Sequence, residues 1–351
     1  MTSLESIWWS AARRALMVVS GIAMATAGIA EPGSFELAGQ RCGTESREMR
    51  EIVTGPWLAT VPSDCSSSST NPSTDYDSSF LYRIPVVVHI IMDDSCSLGT
   101  ISDELVRSQI SILNEDFLAL TTTNGANGAD LQVFFYLATT DADGDPTTGI
   151  TRSCNSTWHN DSGAYYDTLA WDPHRFLNIY TNSAGGFLGY VPFLPADNNG
   201  GFVGRASDRV VILWSAFGRN APDGPPYDQG RTVTHEVGHY LGLEHTFTPQ
   251  NHCGIATAPG CYGDGDLICD TAVEQAPNFG CPVGTESCAS LDPISNYMDY
   301  TADLCMEEFT IEQTRRVRCT LQYYRPNVHS RAIFADNFEL ANTLLWEDVV
   351  P

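Results

Sequence analysis

Basic residues are scarce in this 351-residue sequence: Lys and Arg together number 18 against 43 acidic residues, for a formal net charge of −25. Such a balance excludes a nucleic-acid-binding role, because phosphate backbones demand clustered Lys and Arg. It suits a soluble extracellular protein that attracts cationic substrates or calcium, although a solvated acidic surface is the ordinary explanation. Also absent is any run of the roughly 18–20 apolar residues needed to cross a membrane, so no span is expected in the mature protein. Internal repeats are absent too. Apolar residues are not in short supply, at 42% with 10% aromatics, so the chain can bury a core and is not disordered.

A shorter apolar stretch stands at the N-terminus, where Arg13 and Arg14 precede Ala15 to Ala27 (ALMVVSGIAMATA). Ala25-Thr26-Ala27 and Gly28-Ile29-Ala30 both offer small-residue cleavage sites, and residues 1–30 are assigned to a secretory signal peptide. Eleven cysteines in an exported chain imply disulfides, and the odd count leaves at least one thiol unpaired. Residues 31–79 are polar and end in the low-complexity run SDCSSSSTNPSTDYDSS, residues 63–79. Such side chains compete for backbone hydrogen bonds and offer little apolar area, so a prosegment ending in an exposed, cleavable linker is expected. Residues 80–327 then form the folded catalytic domain, and 328–351 a tail.

The domain opens with Ile84 to Ile91 (IPVVVHII), a β-branched run expected as a buried strand. A helix follows, capped by Ser102, with Asp103 and Glu104 in its first turn and Val106, Ile110, Leu113 and Phe117 at helical spacing. Further strands are expected at Leu131–Ala138, Phe176–Thr181 and Val210–Leu213. Together these give an α+β fold with a mixed sheet backed by helices. The segment Thr232 to Leu243 is a helix with Val233, Val237, Tyr240 and Leu241 on one face, leaving His235 and His239 on another. Residues 246–300 carry many Gly, Pro, Asp and Cys and little periodicity, so disulfides are expected to fix them, with bound ions as an optional addition. Thr310 and Gln313 form a capping-box pair for one last helix, which Pro326 closes.

His235 to His245 reads HEVGHYLGLEH and matches HExxHxxGxxH at every fixed position. Residues four apart on a helix are about 6 Å apart along its axis and share a face, so His235 and His239 can bind one Zn²⁺. Gly242 permits a positive φ, ending the helix in a turn that swings His245 back as third ligand. Three ligands leave a fourth position for water, which separates a catalytic zinc from a closed structural one. Glu236 stands beside the metal as general base for hydrolysis of a peptide bond. Chance occurrence of the full pattern is on the order of 10⁻⁵ for a chain this size.

Downstream, in Asn296-Tyr297-Met298-Asp299-Tyr300, Met298 taken alone reads as a core residue; following the long motif by some fifty residues, it resembles the Met-turn of metzincins, an apolar floor beneath the metal. Tyr300 has two open roles: zinc ligand or oxyanion hydrogen-bond donor on one side, packing on the other. At this point the sequence resembles the pappalysin (cytophagalysin-like) branch of the metzincin zinc metalloproteases. The resemblance runs from about Ile84 to Arg325 and is carried by GRTVTHEVGHYLGLEHTF, GDLICDT and SNYMDYTADLCMEEFT, with weaker support from IPVVVHII, LNEDF and LGY. It implies a zincin-like fold: a twisted mixed sheet, a backing helix and an active-site helix in an upper subdomain, above an irregular, disulfide-stapled lower subdomain with a C-terminal helix. Substrate would lie extended along an upper rim near Phe187 to Phe193 (FLGYVPF) by strand addition.

The resemblance also implies calcium at Asp264, Asp266, Asp270 and Thr271, where a plain Asp-rich turn is the alternative. It implies disulfides Cys253–Cys288 and Cys281–Cys305. Cys261 with Cys269 follows from proximity alone, and partners for Cys65, Cys96, Cys154 and Cys319 stay open. Arg41-Cys42-Gly43-Thr44 resembles the family's latency element, whose thiolate occupies the open zinc position; an ordinary disulfide is the competing role for Cys42. Setting Cys42 aside leaves ten cysteines of the eleven, enough for five bridges. Ile333 to Trp346 weakly resembles short tails on exported bacterial proteins and is given no function. The expected activity is a secreted, initially latent zinc endopeptidase acting on polypeptides. Its rivals are an inactive zinc-fold binding protein, a surface adhesin and a zinc amidase or esterase. The acidic balance points to tolerance of Lys or Arg in substrates.

Overall fold

The β-branched run forms strand β1 (Leu81–Met92), longer than expected at both ends and central to a mixed seven-stranded sheet. The structure, a computed structural model, describes residues 41–45, 63–70, 73–247 and 253–332. The expected signal peptide, much of the expected prosegment and Ile333 to Trp346 fall outside the described residues. β2 (Val133–Leu137) lies parallel to the first half of β1, and β3 (Ile150–Cys154) parallel to its second half. β4 (Leu177–Asn182) lies parallel to β1 on its other side. β5 (Gly189–Tyr190) closes the edge antiparallel to β6 (Val210–Leu213), which itself runs parallel to β4. A last short strand, β7 (Ser330–Ala332), pairs antiparallel with Leu81 to Arg83. Nearly every side chain of β1 is buried, as a strand covered on both faces requires.

Helix α1 (Asp103–Phe117) backs the sheet. Ser102 Oγ accepts from the Leu105 N–H at 3.1 Å, and Val106, Ile110, Leu113 and Phe117 enter the main core. Two short helices, α2 (Ser156–His159) and α3 (Tyr165–Leu169), lie in the connection between β3 and β4. α4 (Arg231–Tyr240) is buried along its whole length, with Val233, Val237 and Tyr240 in the same core as α1 and the sheet. α5 (Ile311–Tyr323) begins with a reciprocal Thr310–Gln313 capping box. Burying each large aliphatic or aromatic side chain of this core contributes about 1.5–3 kcal/mol, so the sheet and three long helices act as one unit.

The region between α4 and α5 has little regular structure. It is stapled by Cys253–Cys288, Cys261–Cys269 and Cys281–Cys305. The cysteines that the sequence left open pair as Cys96–Cys154 and Cys65–Cys319, and Cys42 is free. The Ser/Thr-rich run expected as an exposed linker is in part built onto α5. Cys65 and Tyr76 are buried with Cys319, and Arg316 donates to the Ser66 carbonyl at 3.0 Å and to Thr70 Oγ1. A disulfide and a buried guanidinium, invisible to local composition, supply the contacts that the run's own side chains cannot.

Candidate active site

Helix α4 delivers its histidines from a glycine-initiated start, and Gly242 turns the chain after it. Gly242 has φ +96°, and a Cβ there would also meet Thr320 Oγ1 at 2.5 Å. The turn brings His245 back so that its Nε2 lies 3.0 Å from His239 Nε2, which in turn lies 3.1 Å from His235 Nε2. The Nδ1 of His235 meets the Tyr297 carbonyl at 2.7 Å, and that of His239 meets the Leu243 carbonyl at 2.8 Å. A carbonyl only accepts, so each Nδ1 must carry the proton and each Nε2 must be a bare lone pair. Burial, reinforced by the neighbouring His239, pushes His235 well below the usual imidazole range and keeps it neutral.

Bare nitrogens this close repel unless a cation lies between them. A shared Zn²⁺ at about 2.0–2.1 Å from each would space tetrahedral ligands by roughly 3.3–3.4 Å. The donor set therefore fits a metal, and the orienting carbonyls are the outer partners that metal-bound histidines use. Among the described residues, the cluster of His, Cys or acidic ligands able to hold an ion is Cys42, His235, His239 and His245, whose ligand atoms lie within 4.8 Å of one another.

Glu236 is fully buried. Its Oε2 accepts from Thr44 Oγ1 at 3.2 Å and faces Cys42 Sγ at 3.6 Å. Burial pushes its carboxyl up to about 8, against the pull of Cys42, Thr44 and Arg41. Met298 lies directly beneath α4: a Cβ added at Gly238 would meet its Sδ at 2.5 Å, so only glycine lets the floor approach. Tyr300 is buried, its ring 5.1 Å from that of His245 and its hydroxyl 3.5 Å from the Cys42 carbonyl. Phe247 stacks on His245 at 4.7 Å and closes the wall beside Tyr300.

The segment around Cys42 is inserted into this cleft. Gly43 N donates to the Gly189 carbonyl at 2.9 Å, and Val191 N donates to Thr44 Oγ1 at 2.9 Å, so it docks on the rim formed by β5. Burial, with the Glu236 charge beside it, pushes the Cys42 thiol well above its ordinary value. Arg41 fills a pocket alongside. Its guanidinium lies 4.4 Å over the Tyr227 ring and 3.7 Å from Asp303 Oδ1, and it donates to Thr232 Oγ1 at 3.4 Å. Asp303 Oδ2 is held by the N–H groups of Gln229 and Arg231 at 2.9 and 3.1 Å, which leaves Oδ1 aimed at Arg41. Asp303 and Thr44 lie within motifs of the sequence, yet no local pattern assigns them a role, because their partners are remote in the chain.

The stretch expected to hold calcium is divided. Asp264, Asp266 and Thr271 line one small cavity with Glu274, and Asp266 accepts from Thr271 Oγ1 at 2.7 Å. Asp270 instead accepts from Glu312 N at 2.9 Å, at the start of α5.

Imidazoles converging from a helix and the turn after it, with a glutamate beside them and a methionine floor under a sheet rim, define a metallopeptidase of metzincin type. The chain belongs to the M43 peptidases, the pappalysins, whose family profile, described as pregnancy-associated plasma protein-A, matches residues 160–322. An extracellular metalloprotease of Colletotrichum graminicola is 32% identical over 320 residues, spanning 88% of this chain and 98% of that protein. Extracellular metalloprotease 1 of Coccidioides posadasii is 36% identical over 65% of this chain and 72% of its own. Promirolysin of Tannerella forsythia superposes with a TM-score of 0.59 at 34% identity, covering 72% of this chain and 85% of that one. Mirolysin in complex with a molecule named compound 9 gives a TM-score of 0.58 at 35% identity, over 72% of this chain and 99% of that one. This chain is an extracellular metalloendopeptidase, and these relatives favour that reading over an inactive binding protein or an adhesin. No helix among the described residues is long and apolar enough to cross a membrane.

Proposed function

We propose that the chain is a zinc endopeptidase made as a latent precursor, with His235, His239 and His245 as metal ligands and Glu236 as general base. The observation that carries this reading is the spacing of the Nε2 atoms, 3.0 and 3.1 Å, with Nδ1 of both helix histidines committed to carbonyls. Zinc held there supplies Lewis-acid polarisation of the scissile carbonyl and acidifies a water. Glu236 Oε2 takes the proton from the attacking water and hands it to the leaving amine nitrogen. The Tyr300 hydroxyl donates to the oxygen that gains charge. The Gly189 carbonyl and Val191 N–H bind an extended substrate backbone, as they now bind the Cys42 segment. Glu236→Ala enzyme that retains zinc and loses cleavage of casein supports these roles; full activity in that variant contradicts them.

Latency follows from the same contacts. With metal bound, the Cys42 thiolate would fill the ligand position that the three histidines leave, while Thr44 occupies the carboxylate that would otherwise hold the water. The solved relative named promirolysin, beside one titled mature mirolysin with a cleaved peptide, supports a precursor form. Residues 1–30 act as the signal peptide, and the segment bearing Arg41 to Thr44 is removed on activation. Arg41 marks a pocket for a basic substrate side chain, built from Asp303 and Tyr227. Calcium binds the cavity of Asp264, Asp266 and Thr271, which offers carboxylate and hydroxyl oxygens; burial pushes the Asp266 carboxyl up to about 7, against the pull of Thr271.

A further inference from the structure

Asp116, near the C-terminal end of α1, is 1% exposed and touches both structures on which His235 depends. Its Oδ2 accepts from Thr234 Oγ1 at 2.6 Å, on the residue that immediately precedes His235 in α4. Its Oδ1 accepts from the Tyr297 hydroxyl at 2.9 Å and pairs with Arg231 Nη2 at 3.1 Å, at the first residue of the same helix. Tyr297 is the residue whose own carbonyl receives the His235 Nδ1 proton. The backbone of Tyr297 is fixed from the opposite side, where its N–H donates to the Glu308 carbonyl at 3.0 Å. Next to it, Asn296 and Gln313 exchange amide hydrogen bonds at 2.9 and 3.0 Å. The phenol end of Tyr297 reaches α1 through its hydroxyl on Asp116.

We propose that Asp116 is a positioning residue for the metal site: by holding the Tyr297 hydroxyl and the start of α4 together, it sets the distance between the Tyr297 carbonyl and His235. The inference rests on the zinc reading above. A rotation of Tyr297 would displace its carbonyl, release the Nδ1 proton and let the His235 ring turn away from the other two. Outer partners of metal-bound histidines govern affinity by about 10–100-fold. A carboxylate acting through a tyrosine belongs to that class although it touches no ligand.

A second buried ion pair provides the control. Asp208 and Arg325 meet at 2.7 and 2.9 Å, and Arg325 Nε donates to the Tyr240 carbonyl at the other end of α4, away from Tyr297. The test measures zinc affinity of the processed enzyme by chelator competition, with kcat, KM and Tm, for Asp116→Asn, Tyr297→Phe and Asp208→Asn. Asp116→Asn and Tyr297→Phe are expected to weaken zinc about 10–100-fold and to lower kcat with KM unchanged, whereas Asp208→Asn lowers Tm alone. Should Asp116→Asn not fold, Tyr297→Phe decides, because it keeps the Asp116–Arg231 pair. Wild-type zinc affinity and kcat in Tyr297→Phe would overturn the proposal while leaving the zinc reading intact. A wild-type enzyme that holds no zinc removes both.

Discussion

Replacing Asp303 by Asn should convert an enzyme that prefers a basic side chain beside the cleavage point into one that does not. The amide keeps an oxygen for the Gln229 and Arg231 N–H groups, so the start of α4 stays in place, and it changes only the atom facing the guanidinium. Breaking a fully buried ion pair by removing one partner costs about 3–5 kcal/mol. Here the charged atoms are 3.7 Å apart, beyond hydrogen-bond length, and the Tyr227 ring still receives the cation at 4.4 Å, so a lower figure applies. A loss of about 2–3 kcal/mol corresponds to a fall of roughly 30–150-fold in kcat/KM. The assay uses processed enzyme and two fluorogenic peptides differing only by Arg or norleucine at the position a library profile selects. The Arg peptide should fall by that factor and the norleucine peptide by less than about threefold. Equal losses on both would show that Asp303 supports the helix and reads nothing, and a wild type indifferent to basic residues would refute the pocket itself.

Other outcomes follow from the same contacts. Glu236→Ala should lose about 10²–10⁴-fold in kcat while inductively coupled plasma analysis still finds one zinc per chain. A Cys42→Ala precursor should cleave casein without processing, and activity no greater than that of the wild-type precursor would contradict latency through this thiol. His89, buried against Thr151 and Asn178, is held by desolvation at about 4. Its folded value lies below the unfolded value of about 6.5, so the unfolded chain binds the extra proton. The contribution of His89 is therefore full above pH 6.5 and is lost as the pH drops towards 4, by about 3 kcal/mol. In a Glu236→Ala background, His89→Gln should flatten the urea-unfolding difference between pH 7 and about pH 5; an unchanged slope contradicts it.

Local pattern made some of this legible. β1 and α1 announce themselves through apolar runs and a serine cap, and the long histidine motif points to three imidazoles that the fold brings together, because all sit within one helix and one turn. β3, β5 and β7 have no counterpart among the expected strands, and Val328 and β7 belong to the fold instead of the expected tail from 328. β5 has two residues, and β3 alternates in burial along only five, so neither carries a periodic signature. The docking of Arg41 on Asp303 and the anchoring of Tyr297 by Asp116 join segments remote in sequence, and a lone carboxylate on a helix reads as surface. A hint existed in α1, where Gln109 and Asp116 flank the apolar stripe and are both buried.

The bridge between Cys65 and Cys319 makes nicks on either side of it inequivalent. Severing the backbone upstream of Cys65 lets the strand bearing Cys42 diffuse away. A nick downstream leaves that strand leashed to α5, where an effective concentration of roughly millimolar returns it to the cleft. Under the latency proposed for Cys42, where the first scission falls would govern whether the product is a free enzyme or a cut but self-muzzled one, and a reductant would tell the two apart.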